Sequence, residues 1–93
     1  MKSKTTDNFW QLYSDLPDSI KKHAREVYDL FIKNPNYPSL HFKQVHPRRP
    51  IFSVRITKDY RAVGVIDENE IIWFWIGTHS DYSKLLKKLK TNK

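Results

Sequence analysis

Apolar positions along this chain follow two periods, and the change between them falls near Leu40. Phe9, Leu12, Tyr13 and Leu16 recur at i, i+3, i+4 and i+7, which is one face of a helix. Asp7 is placed to cap its start. Pro17 ends that pattern and suits the first turn of a second helix, with Asp18 favourable near the positive end. Ile20, Ala24, Val27, Tyr28 and Phe31 form the second stripe, which stops near Asn34-Pro35. Together the two predict a helical hairpin over residues 8–34.

After the loop Asn34 to Ser39 the period becomes two. Leu40 to Val45 reads as a strand, and His46-Pro47-Arg48-Arg49-Pro50 interrupts it with prolines that cannot donate to a ladder. Ile51 to Ile56 is the next strand, with Phe52, Val54 and Ile56 on one side and Ser53 and Arg55 on the other. Tyr60 to Ile66 and Glu70 to Ile76 are two more, joined at a hairpin tip of Asp67-Glu68-Asn69. The last strand is apolar on both faces, with Ile72, Phe74 and Ile76 opposite Ile71, Trp73 and Trp75, so it is expected at the sheet centre. Tyr82, Leu85, Leu86 and Leu89 then mark a short amphipathic helix with lysines on its outer side. The predicted fold is α+β, an N-terminal helical hairpin on a four-stranded antiparallel sheet with a short C-terminal helix.

Ninety-three residues are enough for one domain, 1–93, with a single modest core. No apolar run approaches the roughly 20 residues that cross a bilayer. The start lacks the apolar region of a secretory signal, so the expected location is cytoplasmic, away from membranes. The absence of cysteine excludes disulfides, thiolate metal sites and thiol catalysis. The histidines His23, His41, His46 and His79 have no metal-ligand spacing, and Gly64 and Gly77 alone cannot form a phosphate-cradling glycine loop. No cofactor is expected.

Charge changes the picture more. The net charge is +7. Residues 41–61 hold six cations (Lys43, Arg48, Arg49, Arg55, Lys58 and Arg61) against Asp59 alone. Residues 79–93 hold five lysines against Asp81. The stretch between them carries Asp67, Glu68 and Glu70 and no cation. Two basic blocks around an acidic tip favour a polyanion, or an acidic protein, as partner.

Four segments resemble the RelE/ParE superfamily of bacterial toxins from toxin–antitoxin modules. They are Leu16-Pro17 between the helices, Ser39-Leu40-His41-Phe42-Lys43 entering the sheet, Phe52 to Ile56 followed by Asp59-Tyr60-Arg61, and Trp75-Ile76-Gly77-Thr78-His79-Ser80-Asp81-Tyr82 at the end of the last strand. The resemblance spans roughly residues 8–89 and is more specific for fold than for activity. It implies a RelE-like fold and a cognate antitoxin as partner. It also implies metal-independent cleavage of mRNA, in some members on the ribosome, which inhibits translation. By position it implies catalytic roles for Arg61, Arg55, His79 and Tyr82. The sequence departs from the family pattern at Ser53, where some members carry a lysine, and in the short spacing of His79 and Tyr82. The family's N-terminal strand is expected to be missing or only a few residues long. Alternatives are a ParE-like toxin that inhibits DNA gyrase, and a catalytically degenerate module that binds only RNA or antitoxin.

The residue chemistry is compatible with the nuclease reading. Cleavage requires a proton carrier for the 2′-hydroxyl and the 5′-oxygen, which an imidazole supplies near neutral pH. It also requires a cation on the pentavalent phosphate, which a planar guanidinium supplies with two donors. Tyr82 is suited to donate a proton, to stack on a base or to anchor the core. Lys43, Arg48, Arg49 and Lys58 are expected to bind the nucleic-acid backbone rather than catalyse.

Overall fold

A computed structural model describes residues 1–91. Its elements are β1 (Lys2–Thr5), α1 (Asp7–Ser14), α2 (Asp18–Lys33), a 3-10 turn (Pro38–Leu40), β2 (Lys43–Gln44), β3 (Ile51–Thr57), β4 (Tyr60–Asp67), β5 (Glu70–Thr78) and α3 (His79–Thr91). The helical hairpin, the strand succession and the C-terminal helix agree with the sequence pattern. The sheet does not match in number or sense: it has five strands in the order β1-β5-β4-β3-β2, with β1 parallel to β5. The sheet is therefore mixed rather than four-stranded and antiparallel. β1 is the reduced N-terminal strand. Its Lys-Ser-Lys-Thr sequence carries no apolar residue, so periodicity is silent there, and backbone pairing with β5 places it.

Local chemistry sets the helix ends. Thr6, not Asp7, caps α1, and its hydroxyl accepts the Phe9 N–H at 3.1 Å. Asp7 lies in the first turn, where its charge complements the positive helix end. Pro17 is the N-cap of α2, and Asp18 follows in its first turn. The strand expected from Leu40 to Val45 shrinks to Lys43–Gln44, because Leu40 closes a 3-10 turn and His41 takes a left-handed backbone (φ 46).

The sheet is covered on both faces. On one, Phe9, Ala24, Phe31 and Leu40 meet Val54, Ile56, Ala62, Ile71, Trp73 and Ile76, flanked by the half-buried Leu12, Leu16, Ile20 and Val27. On the other, Tyr82 of α3 joins Ile51 and Val63, with Leu85, Leu86, Leu89, Phe74 and Trp75 around them. The strict alternation expected for β5 fails at one point. Val63 pairs with Trp75 while the next residue, Gly64, pairs with Trp73, so Phe74 is an extra residue. That bulge puts Trp73 and Ile76 in the same core and turns Trp75 toward α3.

Candidate functional site

The strand registers assemble the site on the α3 face. Arg55 of β3 stands directly opposite Arg61 of β4, and Arg61 stands opposite Gly77 of β5. One row away, Lys43, Ser53, Val63 and Trp75 face one another across four strands. Residues in register on adjacent strands present their side chains to the same face, about 5 Å apart at Cα. The sheet thus sets two guanidiniums side by side, and like charges so placed repel.

Arg61 is anchored on one side only. Its Nη1 donates to the backbone carbonyls of Thr57 at 2.6 Å, Tyr60 at 3.0 Å and Lys58 at 3.2 Å. One nitrogen therefore takes up the carbonyls of the β3–β4 turn, and the rest of the fork has donors to spare. Partial burial lowers the guanidinium's pKa from its ordinary value, and the neighbouring charge of Arg55 lowers it further, while Tyr82 and Asp59 act the other way. It still stays charged near neutral pH, since an arginine is among the strongest bases of the side chains. No carboxylate forms an ion pair with Arg55 or Arg61 among the described residues; the one ion pair there is Lys4 with Glu70 at 3.4 Å. Two adjacent cations without a carboxylate form a favourable place for a phosphate.

His79 is the first residue of α3 rather than a strand residue, and it is exposed. Its backbone N–H donates to the Asp59 carbonyl at 2.7 Å, which ties the helix start to the same turn that holds Arg61. Thr78 supports that start by accepting the Asp81 N–H at 3.2 Å. The Tyr82 ring packs edge-on against the His79 ring at 5.5 Å and near Trp75 at 6.4 Å. Tyr82 is buried, and its hydroxyl donates to or accepts from that of Ser53 at 3.1 Å. The structure thus brings Arg55, Arg61, His79 and Tyr82 to one end of one face, with the phenol inside the core.

The residues expected to bind backbone divide into two groups. Lys58 is exposed in the β3–β4 turn, next to the carbonyl cradle of Arg61. Lys43 is exposed on the edge strand, in the row beside the arginines. Arg48 and Arg49 lie at the opposite end of β3, in its connection to β2. Ser53 is one residue whose role the sequence did not reveal: it is 2% exposed and serves Tyr82. A small polar residue in an alternating strand gives no signal of such a partner. Behind the sheet, a largely apolar groove of about 350 Å³ lies between β1, α1 and α2, lined by Phe9, Tyr13, Val27, Phe31 and Trp73. Trp10 and Tyr28 line it too and stay 50% and 41% exposed, so the groove has an apolar rim.

The fold and this cluster of cations define a small basic α+β domain. The family model described as the ParE-like toxin domain matches residues 18–84, and the chain belongs to that family. No curated protein matches the sequence significantly. Among solved structures, the chain is similar to the RelB–RelE antitoxin–toxin complex of Methanococcus jannaschii, with a TM-score of 0.68, 14% identity, and coverage of 88% of this chain and 96% of that one. It is similar to YafQ of Escherichia coli, with a TM-score of 0.70, 10% identity, and coverage of 87% and 96%. A YoeB/ParE toxin from Agrobacterium tumefaciens gives a TM-score of 0.63, 17% identity, and coverage of 85% and 99%. At identities this low, the likeness shows the fold alone.

Proposed function

We propose that this protein is the toxin of a toxin–antitoxin pair and acts as a metal-independent endoribonuclease on mRNA. The observation that carries the reading is the register pair Arg55–Arg61, two unneutralised guanidiniums on the face and at the end where His79 begins α3. In the reaction, His79 takes the proton of a 2′-hydroxyl, and the 2′-oxygen attacks the adjacent phosphorus. The P–O5′ bond breaks, leaving a 2′,3′-cyclic phosphate on one fragment. The 5′-oxygen departs with a proton returned by the imidazolium. Arg61 and Arg55 hold the non-bridging oxygens as charge builds on them. Tyr82 orients the His79 ring and is itself held by Ser53.

The partner that neutralises the toxin is a cognate antitoxin. The complexes of RelB with RelE among the structural relatives support this. So does the apolar groove with Trp10 and Tyr28 in its lining, which lies on the face opposite Arg55 and Arg61. Location in the cytoplasm follows from the same reading. Purified protein should cut RNA equally well with and without EDTA, and Arg61→Ala should cut about 10²–10³-fold more slowly. Loss of cutting in EDTA, restored by a divalent ion, would contradict the mechanism. The family name favours one rival, inhibition of DNA gyrase. That reading expects broken DNA and intact mRNA in arrested cells.

A further inference from the structure

The connection between β2 and β3 is more heavily bonded than a surface loop requires. His46 is 9% exposed, and its Nδ1 accepts the backbone N–H of Arg48 at 3.0 Å and of Arg49 at 2.9 Å. Gln44 Nε2 donates to the carbonyls of His46 at 3.0 Å and Arg49 at 2.8 Å. The Arg49 carbonyl also accepts the Ile51 N–H at 2.8 Å, and the Pro50 carbonyl accepts the Ile66 N–H at 2.9 Å. Pro47 and Pro50 bracket the arginine pair and restrict the backbone on either side. Two side chains and two prolines thus fix the backbone under two adjacent cations. Both arginines remain exposed, with no ion pair among the described residues. Exposed like charges on adjacent residues repel, and a bound anion relieves that repulsion.

We propose that this turn is a second phosphate-binding point for the RNA, preset by His46 and Gln44 as positioning residues. The proposal rests on the RNA reading of the Arg61–His79 site. From Ile51 to Arg55 the strand covers roughly 13 Å at 3.3 Å per residue. That is about four nucleotides of a stacked strand at 3.4 Å each. Ile51 and Ser53 between the two points are buried beneath α3, so a single RNA segment reaches both by passing the exposed Lys43 on the edge strand, with one phosphate at the turn and another between Arg55 and Arg61. Contacts at the turn raise affinity and set register without taking part in bond breaking. A turn already folded avoids the ordering cost that a flexible arginine loop would incur on binding.

The test is fluorescence-anisotropy binding of 2′-O-methyl oligoribonucleotides, which cannot be cleaved, over a range of salt. A trinucleotide reaches one point and an octanucleotide reaches both. Arg48→Ala with Arg49→Ala should lower the octanucleotide's log–log salt slope by about 0.7, the value for one lost phosphate contact, and leave trinucleotide binding unchanged. His46→Leu, and more mildly Gln44→Ala, should reproduce part of that loss. His46→Asn should restore it, because an asparagine oxygen can accept the same two N–H groups in an Asx turn. A wild-type slope in the double arginine variant would overturn the proposal. So would His46→Asn restoring thermal stability but not the slope. If the wild type binds the octanucleotide through the turn but never cuts the unmodified RNA, the nuclease reading fails and the turn stands. No binding by the wild type at any salt overturns both.

Discussion

Under the proposed function, Arg61 is both structural and chemical. Three carbonyls around Nη1 hold it, and the remaining donors are left for an anion. Lysine would keep the charge but not the fork, so Arg61→Lys should recover little of the activity lost in Arg61→Ala. Tyr82 separates from it in kind. Its hydroxyl is committed to Ser53, and its ring supports His79. Tyr82→Phe should therefore cost about 1 kcal/mol of stability by urea unfolding, the worth of a typical hydrogen bond. RNA cleavage should stay within a few-fold of wild type. A loss of 10²-fold or more in that variant would return the phenol to proton transfer. The titration of Arg61 offers no switch near neutral pH: burial and Arg55 lower its pKa from the ordinary arginine value, and the guanidinium stays charged there.

At the scale of elements, strands and helices that bury a face were legible and those that do not were hidden. The stripes through Phe9 and Phe31 could be read because burial imposes a period. β1 could not, since Lys2 to Thr5 contribute backbone bonds and a hydroxyl that accepts from Trp73 Nε1 at 3.2 Å. The bulge at Phe74 was hidden for a different reason: an inserted residue changes which face is apolar without changing composition. Gly64 marks it. A Cβ there would lie 2.9 Å from the Trp73 ring, 3.0 Å from Ile71 and 3.0 Å from the Ile72 carbonyl. Gly64→Ala should destabilise the fold by about 1–3 kcal/mol, the usual cost of overpacking, with a matching drop in the urea midpoint. At the first helix, Thr6→Ala should cost about 1 kcal/mol through loss of the cap, and Asp7→Ala less. The cations and the histidine of the candidate site were named from the family resemblance, and the registers bring Arg55, Arg61 and the start of α3 to one end of the sheet. The cradle of Arg61 was not legible, because its acceptors are main-chain atoms and any sequence supplies those.

At the scale of the whole molecule, the two faces of the sheet divide the work. The helical hairpin and an apolar groove occupy one, and the arginines, Lys43 and the start of α3 occupy the other. Under the proposed function, that separation lets a protein partner and an RNA address different surfaces. It also means that the net charge of +7 is a poor guide by itself. What matters is that Arg55 and Arg61 meet in register with no carboxylate between them. The most direct measurement is induced expression without an antitoxin, with the 5′ ends of cellular mRNA mapped. The expected result is growth arrest with discrete mRNA cuts. Those cuts should disappear in Arg61→Ala and His79→Ala variants that remain folded, and persist in Lys87→Ala on the exposed side of α3. Undiminished cutting by His79→Ala, or arrest with intact mRNA and broken DNA, would contradict it.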